Sequence, residues 1–298
     1  MGEIAIIGLG LIGGSLALAL RQARAAGSLL AGGLRIHGID LEATALEHAL
    51  AAQAVDSASS LDAATLERFD AVVLALPAPD LLALLPLVAA RMRPGAVLTD
   101  VCGAKERVCA VGAAQDRVVF AGAHPMAGTE FRGFAAASAQ LFAGATVALC
   151  PPVGNPEGRA AADAWVSALW SAAGAAKLLR LGAAEHDQAV AYASHLPYLA
   201  AAAVVEALRH SGGAQALARE LAAGGFRDTT RLAGDGTVSG AASLNRFVPA
   251  ATRDLAERLR TLALLLEADP AAALLQLGAL ADERRSMNLP RAARPIPG

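Results

Sequence analysis

Gly8-Leu9-Gly10-Leu11-Ile12-Gly13 follows directly on the apolar run from Glu3 to Ile7, and it constrains the fold more than any other feature of the chain. A β-branched run that stops at a glycine-rich turn and continues with helical periodicity reads as a buried strand, a phosphate-binding turn and a helix. The G-x-G-x-x-G spacing assigns each glycine a task. Gly8 permits the tight turn, Gly10 lets backbone approach a pyrophosphate, and Gly13 lets the helix pack on the strand. Leu11 and Ile12 lie at the turn into that helix, whose first N–H groups face the phosphates.

The remaining pattern extends this unit. Strands are expected at 34–40, 71–76, 96–99, 118–121 and 146–149, and helices at 13–26, 41–51 and 80–91. Residues 71–76 are continuously apolar, as a strand covered on both faces should be. The alternation predicts an α/β domain with a Rossmann-type, doubly wound, mostly parallel sheet and right-handed crossovers. The break at 150–156 reads as a loop within this domain, because a helix (157–173) and a strand (176–180) follow it. After residue 181 strand signals cease, and 185–210, 214–223, 250–267 and 270–285 all read as helix. The expected division is a dinucleotide-binding domain over 1–181 and an all-helical domain over 182–298. The Ala/Leu-rich helices carry more apolar surface than one subunit covers, so they predict a homodimer formed through the helical domain.

Composition excludes several classes. Hydrophobic residues make up 55% and charged residues 17%, with a net charge of −2 and no block of like charges, so neither nucleic acid nor an anionic membrane is expected as a partner. No apolar run reaches the ~18–20 residues of a membrane span. A strand beginning within three residues of the N-terminus leaves no expected signal peptide, and with only a short tail after the last expected helix no regulatory domain is expected. The three cysteines, Cys102, Cys109 and Cys150, form no CxxC pair. They read as reduced thiols of a cytoplasmic protein without a metal site.

Asp40 ends the second expected strand. A carboxylate there accepts hydrogen bonds from ribose hydroxyls and repels a 2′-phosphate, and Leu41 offers no cation in compensation, so the site favours NAD over NADP. Asp40 lies 27 residues after Gly13, beyond the usual ~20; the Ala/Gly stretch at 25–33 supplies the excess. Among six histidines, His37, His48 and His210 have ordinary surroundings, and His186, after Glu185, reads as a cap-region residue. His124 is different. It precedes Pro125 in an expected loop at the carboxyl end of the 118–121 strand, where parallel sheets place ligands. Its near-neutral intrinsic pKa suits removal of a proton from a substrate hydroxyl as hydride leaves the same carbon.

Four segments then carry a family resemblance. His124-Pro125-Met126-Ala127-Gly128-Thr129-Glu130 is similar to the HP(I/M)AG(T/S)E segment of the prephenate/arogenate dehydrogenases of tyrosine biosynthesis. Residues 224–231 (GGFRDTTR) resemble that family's G-G-F-(K/R)-D-x-T-R segment, 194–198 (SHLPY) its S-H-L-P-H segment, and 98–105 (LTDVCGAK) its T-D-x-G-S-x-K segment. With the glycine fingerprint they occur in family order over roughly residues 1–270. The resemblance implies NAD-dependent oxidative decarboxylation of prephenate to 4-hydroxyphenylpyruvate. It implies that His124 accepts the proton of the ring hydroxyl and that Arg231 holds a substrate carboxylate through its planar fork. It further implies an ionic network of Glu130, Arg227 and Asp228 at the mouth of the site. Ser194 would lie near the substrate on a helix that Pro197 must distort, with Tyr198 four residues on along the same face. Two positions depart from the family: its serine falls on Gly103, and its second histidine on Tyr198. Cys102 reads as a small buried residue.

Other readings stay open on sequence alone. Arogenate in place of prephenate would give tyrosine directly. A β-hydroxyacid dehydrogenase also joins such domains but uses a lysine on the helical part, and no lysine follows Lys177. A non-enzymatic NAD-binding module would need neither His124 nor Arg231.

Overall fold

A computed structural model describes residues 2–27, 33–129, 131–234 and 237–287. The first part alternates strand and helix as its periodicity requires: β1 (Glu3–Ile7), α1 (Leu11–Ala25), β2 (Arg35–Ile39), α2 (Ala43–Ala51), β3 (Ser57–Ser59), β4 (Ala71–Leu74), α3 (Ala78–Arg91), β5 (Val97–Asp100), α4 (Glu106–Ala113), β6 (Val119–Ala121), β7 (Ala123–Pro125), β8 (Thr146–Leu149), β9 (Val153–Gly154), α5 (Arg159–Ala172) and β10 (Lys177–Arg180). Seven strands form one sheet in the order β3-β2-β1-β4-β5-β6-β9, parallel except for the edge strand β9. The order reverses at β1, the switch point where such sheets bind ligands.

Alternate residues along each central strand feed two separate cores. Ile4 and Ile6 of β1, with Ala71 and Val73 of β4, pack against Leu16 and Leu20 of α1 and Leu169 and Trp170 of α5. Ala5, Ile7, Val72 and Leu74 pack on the other face with Leu81, Leu85 and Val88 of α3 and Val108 of α4. This two-sided burial explains why the strands read as unbroken apolar runs.

After β10 the described elements are helical. They are α6 (Ala183–Val190), α7 (Leu196–Arg209), α8 (Gln215–Glu220), α9 (Gly224–Thr230), α10 (Thr237–Leu244), α11 (Val248–Ala268) and α12 (Pro270–Ser286). A π turn over Ala191–His195 joins α6 to α7. Pro197, in the first turn of α7, has no N–H to donate to a carbonyl one turn back. The widened turn before it accommodates the break, which is the distortion expected from its position.

Several details differ from the sequence expectation. β8 and β10 do not join the main sheet; with β7 they make a separate sheet in the order β10-β8-β7. The segment carrying His124 is a strand, not a loop: β7 pairs antiparallel with β8, His124 opposite Ala148. Pro125 hides this strand from a propensity reading, and it is accommodated because β7 is an edge strand. Within the 150–156 break, β9 pairs with β6. Helix α4 has no local capping side chain, so nothing in its own sequence announces its start.

Candidate active site

The glycine turn is built as its spacing demands. Gly8 has φ +94°, and a Cβ there would sit 2.3 Å from the carbonyl oxygen of Ala75. A Cβ on Gly13 would meet the Gly8 carbonyl at 1.9 Å, so α1 approaches β1 more closely than any side chain permits. Gly10 faces open space, with nothing within 4 Å of its Cβ position. That opening is the cradle a pyrophosphate needs. A cavity of about 460 Å³ adjoins it, lined in part by Gly8, Gly10, Asp40, Leu41, Leu76 and Phe134. Asp40 accepts the Leu9 N–H at 2.6 Å and the Glu42 N–H at 2.9 Å. Its carboxylate thus orders the glycine turn, and Asp40 itself lines the cavity. The site fits a dinucleotide.

The second part of the site lies past the carboxyl ends of β5 and β6. Asp100 ends β5, is fully buried, and accepts the N–H of Cys102 at 2.9 Å and of Ala123 at 3.2 Å. Lys105, equally buried, forms an ion pair with Asp100 and donates to the Ala123 carbonyl at 2.8 Å. Burial pulls the Lys105 pKa down, but the Asp100 charge outweighs it and holds the ammonium protonated. This pair ties the β5–α4 loop to β7 and fixes the backbone on which His124 sits.

His124 is partly exposed. Its Nδ1 hydrogen-bonds to Nε2 of His186 at 2.9 Å. His186 Nδ1 in turn hydrogen-bonds to Oδ1 of Asp187 at 2.8 Å. The Asp187 carboxylate also accepts the backbone N–H of Lys105 at 2.7 Å and of Glu106 at 2.9 Å, so an α6 side chain caps α4 from 82 residues away. Burial raises the Asp187 pKa, and these three donors more than reverse that, holding it below the usual carboxylate range. Burial drives the His124 pKa well below 6.5, and the Lys105 ammonium acts in the same direction. His195 is likewise pushed down to about 4, chiefly by burial; its Nδ1 meets the Asn245 amide at 3.2 Å, and that amide also donates to the Asp187 carbonyl at 2.7 Å.

The other face of His124 looks onto Gly103. A Cβ on Gly103 would lie 3.4 Å from both Cε1 and Nε2 of His124, and 3.2 Å from Cβ of Ala241 on α10. The position where the family carries serine therefore borders Nε2 of the candidate base. Cys102 beside it is buried, and burial pushes its thiol up to about 11, which leaves it inert.

The remaining candidates gather around α7. Ser194 lies in the π turn and Tyr198 in the first turn of α7, both partly exposed. Arg227 and Asp228 are exposed on α9, which packs against α7. Arg231 begins a 3-10 turn that packs on the same helix. Glu130 lies outside the described residues. Sequence reasoning missed both His186, which it read as a cap-region residue, and Asp187, which it did not single out. The available signal was an adjacent His-Asp pair eight residues before Ser194-His195, but its target on β7 is legible only in three dimensions. Among the described residues no group of His, Cys, Asp and Glu is arranged to hold a metal.

Comparison with known proteins places this geometry. A family model for the nucleotide-binding domain of prephenate dehydrogenase matches residues 25–176, and one for its dimerization domain matches 182–239. The chain belongs to the prephenate dehydrogenase family. The prephenate dehydrogenase of Bacillus subtilis is 33% identical over 233 residues, 77% of this chain and 60% of that protein. The arogenate dehydrogenase of Synechocystis is 31% identical with a TM-score of 0.71, covering 95% of this chain and 98% of that one. The prephenate dehydrogenase of Aquifex aeolicus, solved with hydroxyphenyl propionate and NAD+, superposes with a TM-score of 0.81 at 24% identity over 96% of this chain and 98% of that one, which shows a common fold. The chain spans about three fifths of the length of two curated prephenate dehydrogenases that it matches.

Proposed function

We propose that this chain catalyses the NAD-dependent oxidative decarboxylation of prephenate to 4-hydroxyphenylpyruvate. The observation that carries the reading is His124. Its ring is held at Nδ1 by His186, and its Nε2, which hydrogen-bonds to none of the described residues, lies beside Gly103, past the ends of β5 and β6. The low pKa of His124 keeps the ring neutral at neutral pH, so one of its two nitrogens carries a lone pair. A ring hydroxyl placed against Nε2 loses its proton there as the hydride departs from the same carbon. Loss of carbon dioxide from the opposite ring position then leaves an aromatic product, and aromatisation supplies the driving force.

Gly8, Gly10, Leu11, Ile12, Gly13 and Asp40 would hold the dinucleotide, whose nicotinamide supplies the hydride acceptor. Arg231 is assigned the substrate carboxylate, with Ser194 and Tyr198 along the substrate and Arg227, Asp228 and Glu130 at the mouth. The assignment places the nucleotide site in 1–181, and the substrate side and the dimer contact in 182–298. Leucines 259, 264, 274 and 275 of α11 and α12 are between 54% and 77% exposed, an apolar surface suited to a second copy of the chain in a cytoplasmic homodimer.

Arogenate is the second reading, favoured by the likeness to the Synechocystis arogenate dehydrogenase across nearly all of both chains. One assay tests both: initial rates with prephenate and with arogenate, each with NAD and with NADP. Turnover of prephenate with NAD is expected, and absence of turnover in all four combinations would overturn the proposal.

A further inference from the structure

The chain His124–His186–Asp187 has a direction that its partners fix. Asp187 already accepts two backbone N–H groups, and a carboxylate can only accept. The 2.8 Å bond to His186 is therefore a donation from His186 Nδ1–H. With Nδ1 carrying the hydrogen, neutral His186 presents a bare Nε2. The 2.9 Å bond between the two rings is then a donation from His124 Nδ1–H, and the tautomer of His124 that results has its lone pair on Nε2, the nitrogen that faces Gly103. His186 and Asp187 are 1% and 0% exposed, so no bulk water competes for these bonds.

We propose that His186, anchored by Asp187, is a positioning residue that holds His124 in its Nδ1–H tautomer and, as a hydrogen-bond acceptor, stabilises the charge that forms on His124 when its Nε2 receives the substrate proton. The inference rests on the reading of His124 as the base. The proton balance is simple. The substrate O–H bond breaks, an N–H bond forms at His124 Nε2, and the ring becomes an imidazolium. Its Nδ1–H then points at a neutral acceptor, itself hydrogen-bonded to a carboxylate, so the new charge is stabilised without solvent. The helical part of the chain supplies both relay residues, while the Rossmann-type part supplies the base. Asp187 also caps α4, whose preceding loop carries Gly103 and Lys105, so one carboxylate aligns the base and the wall it faces.

His186→Ala and His186→Gln, made in the full chain, test this. Glutamine offers an oxygen to His124 Nδ1–H but carries no charge. For His186→Ala, kcat should fall by about 10²–10⁴, with substrate KM and NAD Kd within about threefold of wild type. Added imidazole should restore part of the rate by filling the vacated space. His186→Gln should fall between His186→Ala and wild type. Independently of turnover, ¹⁵N-histidine NMR of the resting protein should show the hydrogen of His124 on Nδ1 in the wild type and a shift toward Nε2–H in His186→Ala. A wild-type Nε2–H tautomer, kcat within threefold in both variants, or a kcat loss that imidazole does not relieve and that leaves the His124 tautomer unchanged would each overturn the proposal. If the wild type turns over neither prephenate nor arogenate, the functional reading fails, and the NMR arm still decides the tautomer.

Discussion

Gly103 offers the sharpest test of how closely this site follows its family. It has no positive φ, so an L side chain meets no backbone strain there; the question is space. An added Cβ would approach Ala241 Cβ to 3.2 Å and His124 Cε1 and Nε2 to 3.4 Å. The first distance is tight by a few tenths of an ångström and the second is ordinary contact. Overpacking of that order costs about 1 kcal/mol, and the loss of glycine's freedom in the unfolded chain returns a comparable 0.4–1 kcal/mol or so. Gly103→Ala and Gly103→Ser should therefore melt within about 2–4 °C of wild type. The two variants differ only in a hydroxyl, so their ratio isolates it. If that hydroxyl bonds to the reacting group beside His124 Nε2, the usual net worth of about 0.5–1.5 kcal/mol makes kcat/KM for serine roughly 2- to 12-fold higher than for alanine. The assay is initial-rate kinetics with prephenate and NAD, beside thermal denaturation of all three proteins. A Tm loss above about 8 °C would refute the packing argument. Equal kcat/KM for the two variants would show that the hydroxyl does not reach the reacting group, and the family's serine would then be no guide here.

His124→Asn should lower kcat by about 10²–10⁴ while leaving NAD affinity, measured by fluorescence titration, nearly unchanged; retained turnover would remove it from the mechanism. Arg231→Ala should raise KM for prephenate roughly 10- to 150-fold, the equivalent of a charge-assisted contact of about 1.5–3 kcal/mol, and an unchanged KM would make it a structural cation. Asp40 should make kcat/KM favour NAD over NADP, and Asp40→Ser should narrow that preference while loosening the turn that Asp40 holds through Leu9. The folded-state pKa values of His124 and His195 are depressed, so both rings resist protonation only while folded. Their contribution to stability is full above the unfolded value near pH 6.5 and is lost as pH falls toward about 4, a loss on the order of 3 kcal/mol for His195 alone. Urea midpoints between pH 7 and pH 4 should fall accordingly, and kcat/KM should hold its plateau at pH 6, where an ordinary histidine would be mostly protonated.

The fold was readable because its strongest signals are local. β1, the glycine turn and α1 are adjacent in sequence, and burial on both faces writes β4 as an unbroken apolar run. What escaped the sequence is held together over long separations. β7 is three residues with a proline, and only its pairing with β8 makes it a strand. Helix α4 begins without a cap of its own because Asp187 provides one from α6. His186 looked like a helix-start residue for the same reason: its partner, His124, lies 62 positions earlier in the chain. The His124 segment itself was conspicuous, since it follows the carboxyl end of the parallel strand β6, where such sheets place ligands. Which nitrogen of that histidine is free depends on His186, and only the folded chain settles it.

The same long-range contacts explain why the proposed base and the residues that orient it sit on different parts of the molecule. Rossmann-type sheets end in loops, and a histidine on a loop would sample many orientations. Here β7 fixes its backbone through β8, the Lys105–Asp100 pair fixes β7 through the Ala123 carbonyl and N–H, and the helical part fixes its ring. Each restraint reaches His124 from a different direction, and none blocks Nε2. The Asp187 cap on α4 and the Arg246–Glu106 bond at 2.7 Å join the helical part to the same helix. The exposed Arg246 pair adds little energy, whereas the buried Asp187 bonds cannot be broken without stranding a charge. A sliding motion between the two parts would therefore disrupt the cap and the relay together.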